Sequence, residues 1–215
     1  MSEIITVVTE TLPDPPSTPS DALRLLLDGN ARFVAGEPRH PNQDADRRES
    51  VAPLQRPFAV LFGCSDSRLA GEIIFDRGLG DMFVVRTAGH VVGPEVLGSI
   101  EYGVAVLDTP LIAVLGHDFC GAVGAALESV ASGISPQGFV RDVVDRVKLG
   151  LLSLDDEALL DPDVAVDEHI RYTVDLLVER SAVISERVRD GRCAVVGLSY
   201  RLSEGSVRQV GSRGI

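Results

Sequence analysis

Lysine is almost absent from this sequence: Lys148 is the only one, and 20 Lys and Arg face 32 Asp and Glu, for a formal net charge of −12. Neutralising a phosphate backbone requires clustered Lys and Arg that displace counterions, so a nucleic-acid partner is excluded. No apolar run reaches the roughly 20 residues of a membrane helix, and no membrane association is expected. The N-terminus has neither the basic start nor the apolar stretch of a secretory signal, from which a cytoplasmic location is expected. Cysteine is scarce as well. Three residues, Cys64, Cys120 and Cys193, are an odd number and make no disulfide framework, so each reads as a ligand, a nucleophile or a core residue. No internal repeat is visible.

A hydrophobic fraction of 45% with 24% charged residues over 215 positions suits one soluble globular domain. Residues 1–19 carry Pro13, Pro15, Pro16 and Pro19 among Ser, Thr and Asp, and read as a mobile N-terminal arm before a single domain over 20–215. Ser20 or Asp21 is the expected N-cap of a helix with Leu23, Leu26, Leu27 and Phe33 on one face, stopped at Gly36 and Pro38. A polar stretch follows to Pro57. Then short apolar runs, Phe58 to Phe62, Met82 to Val85, Leu111 to Leu115 and Ala194 to Leu198, show no polar alternation, as expected of strands buried on both faces. Helix patterns lie between them at Val96 to Leu107, Gly121 to Val130, Val140 to Lys148 and about Asp167 to Asp190. This order predicts an α/β fold with a central, mostly parallel β-sheet flanked by helices. The acidic stretch from Asp155 to Asp163 reads as a solvated loop.

Two of the expected strands end in reactive residues. One runs into Gly63-Cys64-Ser65-Asp66-Ser67-Arg68, the other into Gly116-His117-Asp118-Phe119-Cys120-Gly121. Open parallel sheets bind ligands outside the carboxyl ends of their strands, so neighbouring strands can bring Cys64, His117 and Cys120 to one spot. Two thiolates and an imidazole suit Zn²⁺ and leave the fourth tetrahedral position for water or substrate, the arrangement of a catalytic site. Gly63, Gly116 and Gly121 are expected to ease tight turns beside these ligands. Asp66 can reach either the metal, closing the fourth position, or Arg68, leaving it open. Cys193, with no His or acidic neighbour, reads as core.

The run Cys64-Ser65-Asp66-Ser67-Arg68 followed by His117-Asp118-Phe119-Cys120 resembles the signature of the β-class carbonic anhydrases. The likeness extends through Ala70 to Asp76, Arg86 to Gly89 and Gly98-Ser99-Ile100-Glu101-Tyr102, and covers nearly everything from Arg24 to about Tyr200. It implies zinc on Cys64, His117 and Cys120, with Asp66 as a further ligand in a closed form only. It also implies reversible hydration of CO₂ to bicarbonate and a proton, with zinc-bound hydroxide as nucleophile and an Asp66–Arg68 dyad that orients it and gates the fourth position. Gln55 and Gly121 match substrate-binding positions. The site is shared between subunits, so a homodimer or homotetramer is implied, with an N-terminal helical arm packing on a partner subunit. The same fold and ligand set resembles hydrolases of CS₂ or carbonyl sulfide, which stand as the alternative. A cysteine-nucleophile enzyme would leave His117 and Cys120 idle, and a non-catalytic zinc module would need Asp66 as a permanent fourth ligand.

Relatives with a second, inhibitory bicarbonate site carry Trp three residues before the first metal cysteine. Leu61 stands there, and the chain has no Trp. That form of regulation is not expected, and Arg86, which matches a partner at that site, is expected to serve structure alone. His90 stands where many relatives have Asn. It reads as a loop histidine outside the site, with an exposed proton carrier as the alternative.

Overall fold

The computed structural model describes residues 16–215, so residues 1–15 of the expected arm lie outside the described residues. Pro16 to Thr18 lead directly into helix α1 (Pro19–Ala35). The cap is Thr18 and not Ser20 or Asp21: its hydroxyl accepts the Asp21 N–H at 3.1 Å, and Pro19 takes the first helical position, where a missing N–H costs nothing. The apolar stripe through Ala22, Leu23 and Leu26 packs on the chain's own body. Asn30 secures it by donating to the Ile74 and Gly205 carbonyls at 3.2 and 2.8 Å. The polar stretch that follows holds a short helix, α2 (Ala45–Val51), with no buried residue.

Five strands form one sheet: β1 (Ala59–Cys64), β2 (Met82–Thr87), β3 (Leu111–His117), β4 (Ala194–Tyr200) and β5 (Val207–Arg213). Their order is β2-β1-β3-β4-β5, parallel except for the last pair. The helices between them are α3 (Gly71–Ile74), α4 (Pro94–Ala105), α5 (Gly121–Ser132), α6 (Val140–Leu149), α7 (Pro162–Arg180) and α8 (Ala182–Arg189). β1, β3 and β4 are buried along their whole length, as double-sided covering of a parallel sheet requires. β2 departs from the expected double burial: it forms the sheet edge, has a strand on one side only, and is half-exposed.

Two further expectations are corrected. The single helix over 167–190 is two helices, broken at Ser181, whose hydroxyl accepts the Ile184 N–H at 3.1 Å and donates to Glu101 at 2.6 Å. The acidic stretch 155–163 is only partly loop. It contains a single 3₁₀ turn over Ala158–Leu160, and Asp161 caps α7 through the Asp163 N–H at 2.9 Å.

Asp76 ties α1 and the following loop to the α3 region. Its fully buried carboxylate pairs with Arg32 Nε at 2.6 Å and accepts the Arg39 and His40 N–H groups at 3.0 and 2.8 Å. Burial opposes its charge, but these donors prevail and hold the carboxyl below its ordinary value. Asp76→Asn is expected to cost about 2–4 kcal/mol, below the roughly 3–5 of a fully buried broken pair, because Arg32 keeps 21% exposure. Since the folded pKa is depressed, the wild-type advantage is complete above the unfolded value of about 3.9 and disappears as pH falls through the folded one. Urea midpoints of both proteins at pH 7 and pH 3 check this. An equal gap at the two values contradicts it.

Candidate metal centre

β1 and β3 lie side by side with Gly63 opposite Leu115, which places Cys64 and His117 at neighbouring carboxyl ends. After His117 the chain turns sharply through Phe119, a non-glycine residue at φ 52°, and Cys120 becomes the N-cap of α5. Asp118 pins that turn: its carboxylate accepts the Leu202 N–H at 2.8 Å, and its own N–H donates to the Tyr200 carbonyl at 3.2 Å. The donor atoms of Cys64, His117 and Cys120 all fall within 4.8 Å of one another, and all three residues are buried.

Of the three glycines expected to ease turns, none has positive φ. Gly63 and Gly116 lie within strands, and Gly121 opens α5. Gly116 is needed for close approach instead, because a Cβ there would sit 2.5 Å from Ile170 Cδ1. The left-handed glycine that serves the site is Gly89, at φ 62°, whose N–H donates to Cys64 Sγ at 3.3 Å.

The donor set fits a metal ion on its own chemistry. His117 Nδ1 lies 2.7 Å from the Asp118 carbonyl, which can only accept, so Nδ1 carries the proton and Nε2 keeps its lone pair. That Nε2 is buried with no hydrogen-bond partner. Burial works against a charged His117, but the Cys64 sulfur beside it outweighs this and raises its pKa. The neighbouring Cys120 and His117, with the Asp66 and Gly89 backbone, lower the pKa of the Cys64 thiol against the effect of burial. The Cys64 sulfur, reinforced by burial, pushes Cys120 up. Both sulfurs are buried within 4.8 Å of one another, and a divalent cation between them would let both ionise. A tetrahedral zinc with bonds of about 2.0–2.3 Å needs donors about 3.5–3.8 Å apart, a spacing this cluster accommodates.

Asp66 and Arg68 form the pair expected of them. Arg68 Nε and Nη2 donate to the two carboxylate oxygens at 2.9 and 2.8 Å, and the Arg68 backbone N–H adds a third bond at 2.9 Å. Arg68 thereby holds the Asp66 carboxyl well below the usual carboxylate range. Asp66 Oδ2 still lies 3.9 Å from His117 Nε2, at the edge of the donor cluster. Arg86 braces the loop between them, donating to the Cys64 and Asp66 carbonyls at 3.0 and 2.6 Å, consistent with the structural role expected of it.

Gln55 lies exposed in the extended segment before β1 and contributes no atom to the donor cluster. Gly121 is exposed at the first turn of α5, with nothing within 4 Å of where a Cβ would stand. Cys193 is fully buried at the start of β4, as expected. For His90 the structure overturns only the alternative reading. The residue is 1% exposed, buried beside Gly89 and stacked on His169, so it cannot be an exposed proton carrier. Sequence reasoning missed Gly89, Asp118 and His169. Only Gly89 carried a local signal, as a glycine beside the end of an expected strand.

A parallel sheet that delivers two thiols and an imidazole to one buried point, with a carboxylate restrained at its edge, defines an α/β protein with a site able to hold a metal ion. The family model of carbonic anhydrase matches residues 59–207. Carbonic anhydrase 2 of Mycobacterium tuberculosis is 54% identical over 191 residues, 89% of this chain and 92% of that protein. Carbonic anhydrase of Mycolicibacterium smegmatis is 53% identical over 193 residues, 90% and 94% of the two chains. Among solved structures, a tetrameric β-carbonic anhydrase of Sordaria macrospora shares the fold with a TM-score of 0.69 at 22% identity, over 89% of this chain and 98% of that one. The chain belongs to the β-carbonic anhydrase family and is a carbonic anhydrase. Among the described residues no helix is long and apolar enough to cross a membrane.

Proposed function

We propose that the chain hydrates CO₂ reversibly to bicarbonate on a zinc ion held by Cys64, His117 and Cys120. The observation that carries this is the buried, unpartnered His117 Nε2 within 4.8 Å of two buried cysteine sulfurs, beside a carboxylate turned away by Arg68. When bound, zinc at such a donor set lowers the pKa of a coordinated water to about 7 and so supplies hydroxide at neutral pH. The chain's own residues do the rest. Asp118 O holds the His117 tautomer, and the Gly89 N–H steadies the Cys64 sulfur. Arg68 keeps Asp66 from the open side while leaving its carboxylate able to accept a hydrogen bond there. Neither Asp66 nor Arg68 forms a covalent bond to substrate. The exposed start of α5 at Gly121 offers backbone N–H groups to an anionic product.

Gln55 fits this reading as a substrate contact made across an interface, since its side chain is exposed and free to meet a partner subunit. We therefore propose a homodimer or homotetramer, in which the outer face of α1 packs on the partner, and in which residues 20–215 act as one cytoplasmic domain. One sheet draws strands from Ala59 to Arg213, which supports that boundary.

Bound metal per chain, measured beside stopped-flow CO₂ hydration with CS₂ as a control substrate, tests the assignment. One zinc per chain with rapid CO₂ turnover and none of CS₂ is expected. A zinc-loaded protein inert toward CO₂ at alkaline pH would overturn it, and CS₂ turnover in its place would establish the hydrolase.

A further inference from the structure

Behind the donor cluster lie two stacked histidines that the mechanism above does not use. The His90 and His169 rings are 4.4 Å apart between centroids and inclined at 36°, with 1% and 2% exposure. From α7, His169 Nε2 reaches the Gly89 carbonyl at 2.8 Å. A carbonyl only accepts, so Nε2 carries the proton, and the buried Nδ1 has no partner. Burial keeps this ring neutral by lowering its pKa. The ring is tightly held, since a Cβ on Gly150 would lie 2.7 Å from His169 Nδ1 and 3.0 Å from Tyr172.

Gly89 turns this contact toward the metal site. Its N–H meets Cys64 Sγ at 3.3 Å while its carbonyl meets His169. Both groups flank one Cα at φ 62° and ψ 22°, a conformation glycine adopts at little cost. With its carbonyl held by His169, the peptide that follows Gly89 is anchored, and with it the Cα from which the N–H is aimed at the sulfur. Ala122 blocks any side chain here, with its Cβ 2.7 Å from where one would begin.

We propose that His169 is a positioning residue of the metal centre: by holding the Gly89 carbonyl it aims the Gly89 N–H at the Cys64 sulfur, setting that ligand's orientation and charge from α7. A hydrogen bond to a ligating thiolate withdraws electron density from it, and the groups that orient ligands typically govern metal affinity 10–100-fold. His90 contributes the flat surface against which the His169 ring rests.

The inference rests on the zinc reading above, and its test reads more than turnover. His169→Phe keeps a flat ring against His90 and removes the donor, whereas His169→Gln restores an N–H at similar reach. His169→Phe is expected to bind zinc about 10–100-fold more weakly in chelator competition, and its cobalt-loaded form to show a shifted thiolate-to-metal charge-transfer band. His169→Gln is expected to recover both. A folded His169→Phe with wild-type affinity and band overturns the proposal, as does a His169→Gln no better than it. In wild-type protein loaded with ¹¹³Cd, the Gly89 amide proton is expected to couple to the metal through the sulfur. Absence of that coupling overturns the proposal whatever the variants do. Cys64→Ser run in parallel separates the two readings: metal loss there without loss in His169→Phe rejects the positioning role alone, while retention in Cys64→Ser rejects the site.

Discussion

Cys64→Ser is expected to give a folded chain that does not retain zinc and does not hydrate CO₂, while Cys193→Ser keeps both. Cys64 ends the fully buried β1, with its sulfur within 4.8 Å of the His117 and Cys120 donor atoms. Serine at that point offers a hydroxyl that stays protonated at neutral pH and is a poor zinc ligand. Apparent zinc affinities of about 10–16 kcal/mol for structural sites with four protein ligands put about 2.5–4 kcal/mol on each ligand, so affinity should fall on the order of 10²–10³-fold. Cys193 is as deeply buried, but burial pushes its thiol up to about 12 and it opens β4, away from the donor cluster. Its replacement buries a hydroxyl at a cost of about 1–3 kcal/mol and leaves the metal alone. Metal analysis and thermal melting of the two variants side by side decide the matter. Stoichiometric zinc in Cys64→Ser contradicts the assignment.

Arg68→Ala should lower turnover about 10–100-fold near pH 7 and by less near pH 9. The two guanidinium bonds to Asp66 are the chief reason its carboxyl lies so low, and their loss lets the pKa rise toward about 3.9. Asp66 therefore stays ionised in both proteins throughout this pH range, and the change is one of direction and not of charge. A carboxylate released from Arg68, already 3.9 Å from His117 Nε2, is drawn to the cation and occupies its open side. Hydroxide competes better as pH rises, so the deficit narrows in alkali. Pre-steady-state rates from pH 6.5 to 9.5 measure it. Profiles of identical shape in the two proteins would remove the gate and leave Asp66 with orientation alone.

Much of the fold was legible where the local pattern is strong. The four parallel strands, α5 and α6 fall where their apolar patterns lie, and β1, β3 and β4 show no polar alternation because they are covered on both faces. The break at Ser181 was not legible, since helical periodicity continues across it and the hydrogen bond to Glu101 that holds the break comes from α4. β5 was missed because an edge strand with one neighbour keeps polar residues such as Arg208, Gln209 and Ser212. The edge position of β2 was hidden too, because strand order is a property of the sheet and not of any run within it.

For the site, the sequence alone determined which side chains have the chemistry: two thiols and an imidazole at strand ends, and a carboxylate two residues from an arginine. Those are local facts, since ligand identity and short spacing travel with the chain. Only the tertiary structure decided that the donors meet within 4.8 Å, that Asp66 faces Arg68, and that His90 lies buried. It alone brought His169 from α7 to the Gly89 carbonyl behind Cys64. Contacts of that kind join residues far apart in sequence. They exist because close packing of helices on the sheet leaves one place for each ring, and no periodicity in the chain encodes it.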